Sequence, residues 1–308
     1  MSLLFHRGAG LVRLAGCALL GALLALAPQA AETAGAASAR KGPVQARSAI
    51  LLDLDTVTVL YEQDADRKVP PASLTKILSM YVVFDQVRAK RVALSDKVTV
   101  SRAAAKEGGS RMGLRAGETL TLDKLLYGMA VASGNDASCA VAEHVAGSQI
   151  KFVRMMNATA KKLGMADSVF ATVNGLPAKG QVTTARDMLN LARNYIAVYP
   201  EALRYHSTRT ITHHGRTCTN KNPLLGSYRG ADGLKTGWTT ASGYNIITTA
   251  RRGKTRLLAV MLGASDSGVR EREINRLMDA GFAMRSGKAA TVAAALGVTS
   301  KKALASGK

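Results

Sequence analysis

Apolar positions follow two different periods along this chain. Residues 48–54 and 57–62 are crowded with β-branched and aliphatic side chains on either side of Asp55-Thr56. That pattern predicts a hairpin whose first strand is buried on both faces. Pro70-Pro71-Ala72-Ser73 then leads into 74–89, a stretch apolar nearly all round, which predicts a helix at the centre of a domain with proline just before its first turn. Helical spacing recurs over 122–132, 136–145, 149–163 and 185–199. After Ser207 the period changes back, predicting strands over 208–213, 233–236, 244–250 and 256–262, with 251–255 as a hairpin turn between the last two. An amphipathic helix over 266–284 closes the ordered part. The order hairpin, core helix, helical middle, strands, last helix predicts an α/β (α+β) fold: an antiparallel sheet built from both ends of the chain and flanked by helices, with the middle inserted as an all-helical lobe.

The ends read differently. Arg7 and Arg13 precede an apolar run over 14–27, and alanines follow at 30, 31, 34 and 36. This is the layout of a secretory signal, assigned to 1–31. Residues 32–46 are small, polar and aperiodic, a linker with order beginning near Arg47. The Ala/Gly/Lys-rich stretch 286–308 has little to bury and reads as a flexible basic tail. Leu14-Ala15-Gly16-Cys17 has the look of a lipoprotein box, but most of the apolar run follows Cys17 instead of preceding it. No other stretch reaches the roughly 18 uncharged apolar residues of a membrane span. The expected location is therefore outside the cytoplasm, in the periplasm or at the cell-envelope surface.

Composition narrows the partners. The 308 residues carry 42 basic and 21 acidic side chains, a formal charge of +21, with 5% aromatics. In an exported chain with no basic helix motif, that charge argues for weak contact with an anionic wall or membrane surface and against nucleic acid. Three cysteines are too few for a disulfide scaffold. An oxidising compartment allows a Cys139 to Cys218 bridge, but spacing does not fix it. His213-His214 with Cys218 resembles part of a metal set; no second cluster completes it, so no metal and no cofactor is expected.

Three short motifs carry the chemistry. A serine hydroxyl is a poor nucleophile and needs a base in reach. Ser73 and Lys76, three apart at the start of the core helix, put their Cβ atoms about 5 to 6 Å apart on one face. Ser38 with Lys41 and Ser148 with Lys151 have the same spacing, but the first pair lies in the linker and the second opens a charged surface helix. Ser133-Gly134-Asn135 falls between two helices, where side chains reach a cleft between lobes. Lys235-Thr236-Gly237 closes a predicted strand. Alone, each reads as a cap or a turn. Together and in this order they are the signature of penicillin-interacting serine enzymes.

The chain accordingly resembles the D-alanyl-D-alanine carboxypeptidase family, the low-molecular-mass penicillin-binding proteins. The resemblance runs through PASLTK at 71–76, LLYGMAVASGNDAS at 125–138, AGSQIKFVRMMNATAKKLGM at 146–165, GQVTTARDM at 180–188 and GLKTGWTTASGYN at 233–245, and covers about 47–285. It implies a β-lactamase/transpeptidase-like catalytic domain over 47–285. It also implies the roles. Ser73 attacks the carbonyl between two D-alanines, Lys76 is its base, Ser133 carries the proton to the leaving amine, and Asn135 orients Lys76 and the substrate amide. Lys235 keeps the site positive, Lys235, Thr236 and Arg270 receive the terminal carboxylate, and Gly237 lets substrate lie along the strand. The N–H groups of Ser73 and Trp238 form the oxyanion hole. The implied partners are peptidoglycan stem peptides and, as covalent inhibitors, β-lactams. Alternatives on the same fold are a DD-endopeptidase or a β-lactamase, though Glu143, Glu201 and Asp167 do not supply the latter's deacylating glutamate. A basic wall-binding protein without activity is the non-enzymatic alternative.

Overall fold

The computed structural model describes residues 43–298. β1 (Ser48–Asp53) and β2 (Thr58–Gln63) form the expected antiparallel hairpin. Packing begins before it. Val44 is buried, and its N–H and C=O hold the Gln63 side chain at 3.2 and 3.0 Å, so the linker reading fails for its last residues. α1 (Thr75–Arg88) is buried on all sides from Thr75 to Phe84.

β3 (Lys97–Thr99), α2 (Arg102–Lys106) and β4 (Thr119–Thr121) follow as short pieces. The helical lobe then continues through α3 (Leu122–Ala130), α4 (Asn135–Ala146), α5 (Gln149–Lys162), α6 (Ala185–Val198) and the short α7 (Leu203–Ser207). Its caps are local. Ser148 accepts from the Lys151 N–H at the start of α5, so that Ser-x-x-Lys pair is a helix cap. Ser38 lies outside the described residues.

β5 (Thr210–His213) pairs with β6 (Arg216–Thr219), a strand that the sequence pattern does not show. The turn is made by His214 and Gly215, both at positive φ, 47° and 72°. Such turns match the twist of flanking strands, and they form here without apolar alternation. β7 (Ala231–Thr239), β8 (Gly243–Arg252) and β9 (Thr255–Ala264) complete the main sheet. β7 runs three residues past Thr236, because its pairing with β8 continues through Gly237 opposite Asn245 and Trp238 opposite Tyr244. The Lys-Thr-Gly motif thus sits inside a strand, not at its end.

The sheet order is β2-β1-β9-β8-β7, with every pair antiparallel. Alternation on the central strands feeds two cores. Ile50, Leu52, Leu258 and Val260 face the helical lobe. Leu51, Ala259 and Met261 face α8 (Ser267–Arg285) with its Ile274, Leu277 and Met278. Coverage of both faces matches the burial of every residue of β1, whose apolar run is Ala49 to Leu52. Beyond α8 the tail reading also needs correction: α9 (Val292–Ala295) packs on α8 through the fully buried Val292. Residues 1–31, read above as a signal, and residues 299–308 lie outside the described residues. Among those described, no helix is long and apolar enough to cross a membrane.

Candidate active site

The chain enters the site through a strained turn. After Pro71 it forms a single 3-10 turn, Ala72–Leu74, that runs into α1. Ala72 has a φ of 49°, unfavourable for a residue with a Cβ. Gly175 presses on it: a Cβ added at Gly175, itself at φ 85°, would lie 1.8 Å from the Ala72 carbonyl oxygen. Neither the turn nor α1 has a side-chain cap, so the Ser73 hydroxyl is left for other work. It lies 3.0 Å from Lys76 Nζ.

Lys76 is fully buried. Besides Ser73, its Nζ reaches Asn135 Oδ1 at 2.7 Å and the Asn174 carbonyl at 2.8 Å. The amide of Asn135 is oriented, because its Nδ2 donates to the Gly108 carbonyl at 2.6 Å. Both of these oxygens can only accept. A neutral amine has two N–H groups and one lone pair, so the two oxygens take the hydrogens and the lone pair is left facing the Ser73 O–H. Burial pushes the Lys76 pKa well below its ordinary value, and the charge of Lys235 lowers it further. Geometry and electrostatics therefore allow Lys76 to act as a base toward Ser73.

Asn135 opens α4, and Ser133 lies in the preceding turn, buried and with φ 54°. Asp136 fixes this corner. Its buried carboxylate accepts from the N–H groups of Met112, Gly113 and Leu114 at 2.9, 2.9 and 3.1 Å, tying the 112–114 segment to the head of α4.

β7 forms the opposite wall. Lys235 and Thr236 are buried, and the Lys235 pKa is pushed down to about 7, first by burial and then by the charges of Lys221 and Arg270. Arg270, in the first turns of α8, is buried with its guanidinium 5.9 Å from the Tyr244 ring centre and its Nε without a hydrogen-bond partner. Gly237 is required by closeness: a Cβ there would meet the Ser73 N at 3.0 Å and the Ala72 Cβ at 3.2 Å. The main chain of β7 thus runs directly against the N–H of Ser73. Trp238, the next residue, is 55% exposed, and its ring lies 5.7 Å from that of Tyr244.

A cleft of about 850 Å³ opens over Ser73. Asn135, Trp238, Leu176 and Arg216 are among its lining residues, and Lys221 donates to Ser110 Oγ at 2.7 Å between two of them. Among the described residues that line it there is no carboxylate. Glu143 instead accepts from Gln149 at 3.1 Å, Asp167 pairs with Lys68 at 3.1 Å, and Glu201 sits in a 3-10 turn after α6. Cys139 and Cys218 are both free and buried.

Three contributors were not apparent from sequence. Asn174 acts through its carbonyl, which any residue could supply; only the Asn-Gly-Leu-Pro turn signal at 174–177 marks the place. Asp136 and Lys221 act across the fold, 22 or more residues from their partners.

Comparison with known proteins gives a consistent result. A family model described as D-alanyl-D-alanine carboxypeptidase (peptidase S11) matches residues 33–266. The D-alanyl-D-alanine carboxypeptidase DacC of Escherichia coli (strain K12) is 42% identical over 246 residues, 78% of this chain and 62% of that protein. The chain therefore spans less than two thirds of that relative. Penicillin binding protein 6B from Escherichia coli superposes with a TM-score of 0.72 at 39% identity, covering 75% of each chain. Penicillin-Binding Protein D2 from Listeria monocytogenes, in its cefotaxime-bound form, gives 0.71 at 32% identity over 78% of this chain and 98% of that one.

Proposed function

We propose, from the premise that this chain belongs to the D-alanyl-D-alanine carboxypeptidase family, that it removes the terminal D-alanine from peptidoglycan stem peptides through an acyl-enzyme on Ser73. The observation that carries this reading is the lone pair of a buried Lys76 left facing the Ser73 hydroxyl by two fixed acceptors.

The geometry around Ser73 and Lys76 supports the following roles. Ser73 Oγ adds to the carbonyl of the penultimate D-alanine as Lys76 takes its proton. The resulting oxyanion sits between the N–H groups of Ser73 and Trp238, where one such donor is worth about 3 kcal/mol in other hydrolases. Collapse breaks the C–N bond, and the amine of the departing D-alanine takes the proton by way of Ser133. Water then attacks the ester, with Lys76 again accepting a proton. Lys235, Thr236 and the unsatisfied Arg270 offer a cationic receptor for the terminal carboxylate, while Asn135 holds Lys76 and the substrate amide. A β-lactam presents a carboxylate and a strained amide to the same groups, so it acylates Ser73.

The lining of the cleft supports a peptidase over a β-lactamase, since no carboxylate stands ready there to activate deacylating water. On this reading 1–31 is a signal peptide, 47–285 is the catalytic domain, and the protein works in the periplasm or at the envelope surface. Without Arg7 and Arg13 of the signal its charge is 21 − 2 = +19, which suits the anionic wall. The test is direct. Penicillin treatment is expected to leave one adduct on Ser73, and a pentapeptide substrate to release D-alanine. Lys76→Ala is expected to lower both rates by about 10² to 10⁴-fold while staying folded. An unmodified Ser73 would sink the proposal.

A further inference from the structure

Away from the nucleophile, three metal-binding side chains from two distant segments meet at one point. Glu118 closes the turn before β4; His213 ends β5 and His214 starts the β5–β6 turn. One ligand atom from each lies within 4.8 Å of the others. The Nε2 atoms of His213 and His214 approach the same oxygen, Glu118 Oε1, at 2.9 and 3.0 Å. Adjacent residues in an extended strand point to opposite faces. Here the left-handed backbone of His214 turns its ring to the side of His213, and the ring centres come within 4.1 Å.

Two further observations mark this as a site for a ligand and not a simple ion pair. His213 Nε2 is buried and, despite its 2.9 Å approach to the carboxylate, makes no hydrogen bond of acceptable direction. The carboxylate is also anchored from behind: Glu118 Oε2 accepts from the Arg115 N–H at 2.9 Å, and the Glu118 carbonyl accepts from Val100 N at 2.8 Å. Only Oε1 is left to face the imidazoles. The sequence pattern groups His213-His214 with Cys218, but Cys218 stands opposite Ile211 in the β5–β6 ladder and lines the cleft instead. His213, moreover, is not an exposed strand end; its side chain is 4% accessible.

We propose that Glu118, His213 and His214 form a zinc site with a fourth position open to water. Two imidazole nitrogens and one carboxylate oxygen are a zinc donor set, and zinc bonds of about 2.0 to 2.1 Å in a tetrahedron put donor atoms about 3.3 Å apart. The two approaches to Oε1 already lie close to that spacing. Magnesium and calcium, which favour all-oxygen shells, do not fit. The ion staples the β5–β6 hairpin to the turn ahead of β4. Arg216, Thr217 and Thr219 on that hairpin line the cleft, and Met112–Leu114 on the other segment are held by Asp136 beside Asn135. Zinc therefore braces the outer rim of the cleft without touching Ser73.

The test uses the whole chain, dialysed against chelator and then titrated with zinc chloride by calorimetry, with magnesium chloride as control. One zinc per chain is expected, with a rise in melting temperature and no response to magnesium. His214→Asn, at a side chain 35% accessible, and Glu118→Gln are each expected to weaken zinc binding at least tenfold and to abolish the thermal shift. Fluorescent penicillin labelling of Ser73 in both variants reports that they are folded and reads the catalytic proposal separately. Absence of stoichiometric zinc, or wild-type affinity in both labelled variants, would overturn the site.

Discussion

Lys76 and Asn135, 59 residues apart in sequence, meet at 2.7 Å, and the amide cannot reverse without losing the Gly108 carbonyl on its other side. An acceptor held in this way decides where the lysine's hydrogens go, and so where its lone pair points. Removing charge neutrality from that acceptor is the most selective way to disturb the base while keeping its shape.

Asn135→Asp is nearly isosteric and places a carboxylate against Lys76 Nζ. An opposite charge within about 4 to 6 Å favours the ammonium form and raises the lysine pKa by about 1 to 3 units. Acylation by a fluorescent penicillin is expected to fall at least tenfold at neutral pH and to recover as pH rises. An acidic limb identical to wild type would show that Asn135 does not govern the protonation of Lys76.

Lys235 sets the other side of the pH profile. Its pKa is lowered to about 7 by burial and by Lys221 and Arg270, so the free protein loses this positive charge as pH rises through about 7. Lys76, whose pKa is also lowered, must by contrast be neutral, and it regains its proton as pH falls. The second-order acylation rate is expected to be bell-shaped, declining on the alkaline side from about pH 7. Because arginine stays charged to beyond about pH 12, Lys235→Arg is expected to push the alkaline limb upward while leaving the acidic limb in place. An alkaline limb that does not move would exclude Lys235 as its origin.

Gly175→Ala tests the strained turn. The added methyl would overlap the Ala72 carbonyl, and the φ of 85° disfavours alanine independently. A loss of stability of roughly 2 kcal/mol or more is expected, read from denaturant midpoints. The residual folded protein should also be labelled more slowly, since Ala72 carries Ser73. Unchanged stability would mean that the Ala72 turn yields without cost.

What could be read in advance depended on range. Ser73 and Lys76 lie one turn apart on a helix, so their contact follows from local geometry. The unbroken apolar run from Ala49 to Leu52 announced a strand covered on both faces, which β1 is. By contrast, Glu118 and His213 lie on segments far apart in sequence and meet only in the folded chain, an approach that no spacing encodes. β6 escaped notice because its Arg-Thr-Cys-Thr has one inward side chain, Cys218. α9 did so because a single buried valine holds it. The Lys-Thr-Gly motif falls in β7 as expected, though inside the strand and not at its end, and the close approach of the Gly237 main chain to Ser73 has no signal in the sequence.

The placement of β1 between β2 and β9 has a temporal meaning. One neighbour of β1 is synthesised at once; the other arrives some two hundred residues later, and β7 enters the sheet only by way of β8 and β9. A polypeptide emerging amino end first therefore displays Ser73 long before β7, the opposite wall of the cleft, exists. Such late pairing makes for slow folding, and it places the closing of the cleft between β7 and Ser73 after the synthesis of β9.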